Sequence, residues 1–225
     1  MVLFHFCYDL KLFDVCPMDW FAFPIRDLWR HSISWTFVFV AGCMYAYSKN
    51  NLKRAARYLL VSALISLVTV IAAVDVPIFY GVIYCMGSCT LICWLLDRVG
   101  FRPYGLLPAI VLFIVFLAIF DVPRGTFGLC SLGPAVPRQL YDCGFLTWLG
   151  FPAPGFRSSD YYPTLPFLLL YLAGSARGRQ WRQEGLPAWL DALRCDPLEW
   201  VGRHALSIYL LHQPVCLAVV TLLAR

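Results

Sequence analysis

Charge is what this chain has least of: 14% of its 225 residues are Asp, Glu, Lys or Arg, while 60% are hydrophobic. A soluble domain of this length carries about 25% charged residues, so the composition excludes one and implies a polytopic membrane protein. The formal charge of +5 is not arranged as a basic stripe interleaved with aromatics, which excludes a nucleic-acid footprint. Secretory-signal features are also missing, since no basic flank precedes the first apolar run and no small-residue cleavage site follows it. Nor do the two halves of the chain resemble each other, as the inverted repeats of many permeases do.

Metal-binding cysteine spacing is another absence. Of the ten cysteines, Cys7, Cys43, Cys85, Cys89, Cys93 and Cys216 sit in apolar segments, where cysteine behaves as a small hydrophobe. Cys85, Cys89 and Cys93 recur at helical spacing without histidine or carboxylate beside them, a pattern of helix packing and not of zinc ligation. Cys130 and Cys143 share a long loop, and they either pair, if that loop faces an oxidising compartment, or stay free.

What the chain does have is long apolar runs. Residues 31–48, 58–74, 78–96, 105–120, 162–176 and 204–224 read as six complete spans, so the expected fold is an all-α transmembrane bundle forming a single domain over 1–225. Residues 14–30, with Trp20, Trp29 and two prolines, read as an interfacial loop with a short helix. Within the glycine- and proline-rich stretch 121–161, residues 140–151 are apolar enough to dip into the interface or re-enter the bilayer. Most of the 18 lysines and arginines fall in 49–57, 97–103 and 177–203, the last including Arg194. The positive-inside bias makes those loops cytoplasmic, with Arg225 and the other basic residues in the opposite set.

That orientation sends the opening run, MVLFHFCYDL, from the cytoplasm outward. A crossing needs ~20 apolar residues, and too few precede Asp14. The first helix is therefore expected to be a half-span, with Met1 an internal methionine of a longer gene product. An imidazole and a carboxylate inside this run, His5 and Asp9, are four residues apart and share a helix face, so Asp9 can orient His5 as it would a general base. The alternative is a frayed, partly wet terminus with no role. His5 and His212 each lie about nine residues from a membrane boundary, ~13 Å at 1.5 Å per residue. Two imidazoles level near mid-depth can line one cavity. Alternatively, His212 and Gln213 serve backbone groups freed by Pro214.

Four blocks, spread along nearly the whole chain, together carry a family resemblance: MVLFHFCYDL; SWTFVFVAG with SKNNLKRA (34–42, 48–55); GFPAPGFRSSDYYPTLPFLLLYLAG (150–174); and LEWVGRHALSIYLLHQPV (198–215). They resemble bacterial members of the heparan-alpha-glucosaminide N-acetyltransferase catalytic-domain family. The resemblance implies a multi-pass cell-membrane acyltransferase that moves an acetyl or acyl group from cytoplasmic acyl-CoA, a co-substrate rather than a resident cofactor, to an acceptor such as a sugar outside. It implies that the histidine at the place of His5 is catalytic. Similar members carry an arginine- and aspartate-bearing segment ahead of that helix, which this chain does not show.

Acyl transfer from a thioester needs a base or a transient nucleophile, which His5 with Asp9 supplies. His212 and Gln213 are candidate substrate-binding residues. Arg203 and the group Arg177, Arg179 and Arg182 are candidates for the phosphates of CoA, although positive-inside bias alone accounts for basic loops. Asp160 and Tyr161 are candidates for acceptor hydroxyls, or else form the turn that opens the fifth span. A permease relaying protons through its histidines, or a non-catalytic scaffold, are the competing expectations.

Overall fold

A computed structural model describes residues 1–193 and 195–224; Arg194 and Arg225, both used in the loop-charge reading, lie outside the described residues. The chain is all-helical, with 64% helix and no strand among the described residues. The helices are α1 (Val2–Leu12), α2 (Ile25–Cys43), α3 (Asn51–Ile71), α4 (Val82–Arg98), α5 (Leu106–Ile119), α6 (Thr164–Glu184), α7 (Ala188–Asp191), α8 (Asp196–Arg203) and α9 (Ala205–Leu223). They fall into two compact units, Met1–Thr36 with Leu186–Arg225, and Phe37–Gly185.

In the first unit α1 packs against α9. Phe4, Met18 and Phe21 form its apolar core, with Cys7, Leu10, Cys16, Trp29 and Ile33 against them. The loop after α1 is held down by Lys11, whose ammonium donates to the carbonyls of Phe21 at 2.8 Å and Met18 at 3.3 Å. Its aliphatic stem thus stays with the core while its charge finds backbone oxygens. Residues 14–24 are turns and bends, and in place of the short interfacial helix expected within 14–30 the chain begins the 19-residue α2 at Ile25.

In the second unit α4 and α6 are the buried pair, with α3 against α4 and α5 against α6. Their polar side chains are satisfied from within. Thr90 donates to the Met86 carbonyl at 2.6 Å and meets the Tyr171 hydroxyl at 2.9 Å, and Ser88 meets Thr164 at 3.0 Å. Cys85 and Cys89 are buried in the same packing, their sulfurs 3.8 Å apart. The end of α2 approaches α6 through glycines: a Cβ on Gly42 would collide with the Tyr171 carbonyl, and one on Gly174 or Gly178 with the carbonyls of Phe39 or Cys43. Small residues permit this backbone contact, the usual means of packing helices in lipid.

Local chemistry moves several boundaries from those read in the sequence. The helix of the second expected span begins at Asn51, since the Asn50 side chain accepts from the Lys53 amide at 2.9 Å and caps it. Its basic first turns are therefore helical and not loop. Residues 121–161 form short 3₁₀ turns, and the region 140–151 hands over to α6 through Thr164 N to Trp148 O at 3.0 Å and Leu165 N to Leu149 O at 2.7 Å. Cys130 and Cys143 are exposed and free.

Among the described residues three helices are long and apolar enough to cross a membrane, against the six spans expected: Asn51–Ile71, Leu106–Arg124 and Ala205–Leu223. The other long helices differ from them in composition and length. Arg26, Asp27 and Arg30 load the start of α2, α4 has 17 residues, and α6 ends with Arg177, Arg179, Arg182 and Glu184. The buried helices α4 and α6 carry polar groups that a lipid-facing helix avoids.

Candidate functional site

Packing α1 on α9 brings four of the sequence candidates into one cluster. The His5 and His212 rings meet edge to face with centroids 4.8 Å apart. Asp9 is 2% exposed and accepts from the Gln213 amide at 3.3 and 3.4 Å, one distance to each oxygen. Helical spacing suggested that Asp9 would orient His5, but the carboxylate instead engages Gln213, which the neighbouring helix presents to it. The His5 amide donates to the Met1 carbonyl at 3.0 Å, while its ring packs against Phe4, centroids 5.7 Å apart, and against His212.

Pro214 lies inside α9, and proline removes the amide that would pair with a carbonyl one turn back. His212 Nδ1 lies 2.6 Å from the Tyr209 carbonyl, which is not the carbonyl that Pro214 leaves without its amide partner, that of Leu210 four residues before the proline. A carbonyl only accepts, so Nδ1 carries the hydrogen and the neutral ring keeps its lone pair on Nε2. That Nε2 is buried without a hydrogen-bond partner among the described residues, as is Gln213 Oε1. One nitrogen of the ring is thus tied to the backbone while the other keeps its lone pair.

The remaining candidates lie elsewhere. Arg203 is exposed and pairs with Glu199 at 3.0 Å. In the second unit, Asp160 Oδ2 accepts from the Val82 amide at 3.0 Å and so caps α4. Tyr161 donates to the Thr147 carbonyl at 2.5 Å, and burial raises its pKa above the ordinary tyrosine value. Arg179 is ion-paired with Asp97 at 2.7 Å, Arg182 donates to the Ala46 carbonyl, and Arg177 donates to Gln180 and lies over the Trp181 ring. These arginines are engaged in holding helix ends.

The sequence did not single out an open cleft of about 420 Å³ in the second unit, bounded by Tyr45, Asn50, Asn51, Leu52, Trp94, the carboxylate Asp97 and the cations Lys49, Arg98 and Arg102. Its signal was present as the basic clusters 49–57 and 97–103, read there only as orientation markers. Arg98 lies over the Trp94 ring at 4.7 Å, and Arg102 donates to the Asp97 carbonyl at 3.1 Å.

Apolar helices with a buried imidazole, carboxylate and amide cluster define a membrane protein with a polar site on its helices. The model of the family described as heparan-alpha-glucosaminide N-acetyltransferase, catalytic, matches residues 1–214, and the chain belongs to that family. The family is one of acetyltransferases. Neither the curated proteins nor the solved structures contain a match.

Proposed function

We propose that this protein is a multi-pass cell-membrane acyltransferase that takes an acetyl or acyl group from cytoplasmic acyl-CoA and passes it to an extracytoplasmic acceptor, a sugar amine or hydroxyl. The supporting observation is the family match over residues 1–214, which includes both His5 and the HQP segment. In this reading α2, α4 and α6 also cross the bilayer, completing six spans with the positive-inside orientation. Burial of α4 against its neighbours allows a helix of 17 residues with Ser and Thr side chains to lie in the membrane interior.

His5 supplies the imidazole that acyl transfer requires, as base or as transient acyl carrier. The buried Asp9 and Gln213 complete the polar wall beside it. The donor is polyanionic, and Lys49, Arg98 and Arg102 on the second unit's cleft suit phosphate groups. Purified protein incubated with radiolabelled acetyl-CoA and glucosamine tests the reading. Label transfer abolished in His5→Ala, with the variant's thermal unfolding matching wild type, supports it; equal transfer in the variant removes His5 from the chemistry, and no transfer by wild type removes the activity.

A further inference from the structure

Beside one another on α9, the buried atoms His212 Nε2 and Gln213 Oε1 have no hydrogen-bond partner among the described residues, and their chemical character is fixed by what the other end of each side chain does. The Tyr209 carbonyl at 2.6 Å from His212 Nδ1 places the hydrogen there and leaves Nε2 a lone pair. The Asp9 carboxylate at 3.3 and 3.4 Å from Gln213 Nε2 holds the amide so that Oε1 points away from it. Both orphans are therefore acceptors. His212 is 8% exposed, and although Gln213 is half-buried as a whole its Oε1 is withdrawn from solvent, so bulk water does not compensate the two atoms, and a buried unmade hydrogen bond costs free energy. A ligand group that only accepts, such as a carboxylate, phosphate or ketone, does not match this pair. A group that donates does.

We infer that His212 is a catalytic base acting on the acyl acceptor, and that the acceptor's reacting group is a neutral amine, donating hydrogen bonds to both His212 Nε2 and Gln213 Oε1, or a hydroxyl donating its single hydrogen to His212 Nε2. This deepens the transferase reading and rests on it. The acceptor's N–H or O–H proton passes to His212 Nε2 as its heteroatom forms a bond to the acyl carbon. With the base role on His212, His5 is the transient carrier: the carbon–sulfur bond breaks as its ring nitrogen takes the acyl group, the carbon–nitrogen bond to His5 breaks as the acceptor attacks, and the thiolate leaves with the proton returned by the His212 imidazolium. His212 ends neutral, so protons and charge balance over the turnover. Gln213 orients the acceptor, and Asp9 is a positioning residue that acts through Gln213 by preventing the amide from flipping.

The division between the residues predicts different kinetic signatures. His212→Gln fills the same space without a base and lowers kcat by about 10²-fold or more, the range of general-base contributions. It leaves the KM for acetyl-CoA unchanged and removes the acidic limb of the pH–rate profile. Asp9→Asn lets the Gln213 amide turn either way, so the KM for glucosamine rises while that for acetyl-CoA stays, a split that loss of folding does not produce.

The experiment follows glucosamine acetylation by the full chain in detergent, with thermal unfolding of each variant as the folding control and His212→Asn as a second replacement. A parallel ¹⁵N spectrum of histidine-labelled wild type reads the tautomer without requiring turnover. The expected results are a non-protonated Nε2 on His212, a shift of that resonance on adding glucosamine, and the losses above. A protonated Nε2, or wild-type kcat in a folded His212→Gln, overturns this inference and leaves the transferase reading standing. Absence of any transfer by wild type overturns the transferase reading itself, and the base role with it.

Discussion

Arg179 meets Asp97 at 2.7 Å across α6 and α4, and the other carboxylate oxygen of Asp97 accepts the Tyr45 hydroxyl at 2.8 Å. One carboxylate thereby joins two helices and the turn after α2. With side chains 15% and 21% exposed, the pair is mostly withdrawn from solvent, and removing one partner leaves the other charge uncompensated. Asp97→Asn is expected to cost about 2–4 kcal/mol, near the range for breaking a buried pair. Asp97→Asn combined with Arg179→Gln recovers part of that loss. Thermal unfolding of the three variants in one detergent checks it, and additive losses would show the pair to be energetically uncoupled.

Glycine positions in the second unit separate contact from mere flexibility. Gly42 and Gly174 face carbonyl groups of the opposing helix so closely that a methyl cannot be seated, while Gly144 has nothing near its missing Cβ. Gly42→Ala or Gly174→Ala forces the α2 end and α6 apart and destabilises by about 1–3 kcal/mol, the usual cost of overpacking. Gly144→Ala, on the same criterion, leaves stability within about 0.5 kcal/mol. Comparable midpoints for all three would contradict the close helix contact.

How far the sequence revealed this molecule depends on whether a feature is periodic or tertiary. The all-helical class follows from apolar runs of helical length, and residue counting put His5 and His212 level before their rings were seen 4.8 Å apart. Asp9 shows the limit. Its spacing from His5 is a property of one helix, whereas its partner Gln213 lies 204 positions away, and local spacing carries no information about that contact. Asp160 is similar: its motif offered a ligand or a turn, and the structure uses it to cap a helix far away in sequence. Hydropathy distinguishes the exposed apolar helices but says less about α4 and α6, whose polar groups are paid for by burial against one another.

Asp160 gives the corresponding functional prediction. Its carboxylate satisfies the first amide of α4, and a Cβ on Gly81 would lie 2.6 Å from Oδ2. Asp160→Ala is therefore expected to lower stability by about 1 kcal/mol, the value of a helix cap, with no change in the KM for glucosamine. Gly81→Ala displaces the same carboxylate and should have a similar effect. A selective rise in that KM at unchanged melting temperature would instead return Asp160 to the acceptor site.

At the far end of α6, the Tyr104 hydroxyl donates to Glu184 at 2.7 Å and the Gln180 amide donates to its other oxygen at 2.7 Å. The Tyr104 hydroxyl, followed by the Gln180 amide, holds the Glu184 carboxyl below the ordinary glutamate pKa. Because the folded value is depressed, the contribution to stability is present above the unfolded value and disappears as pH falls through the folded one. Tyr104→Phe removes the larger cause, so the Glu184 midpoint moves upward toward that of an unpaired side chain. A ¹³C carboxyl titration of wild type and variant reads this directly, and coincident curves would show that the hydroxyl does not hold the carboxylate.

The donor of the proposed reaction is anionic, and Lys49, Arg98 and Arg102 line one cleft. If the phosphates of acetyl-CoA are recognised there, the interaction is partly exposed and each cation contributes modestly, about 1 kcal/mol or less. Lys49→Ala and Arg98→Ala should each raise the KM for acetyl-CoA roughly 2- to 5-fold, on the scale where 1.4 kcal/mol is tenfold, with kcat little changed. Both effects should shrink as ionic strength rises, since salt screens exposed charges. Arg203→Ala is the contrast, because Arg203 is exposed and already paired with Glu199. Initial rates at low and high salt separate these cases: a salt-independent KM that none of the cleft variants moves would place donor recognition elsewhere and leave the three cations to the orientation of the chain in the bilayer.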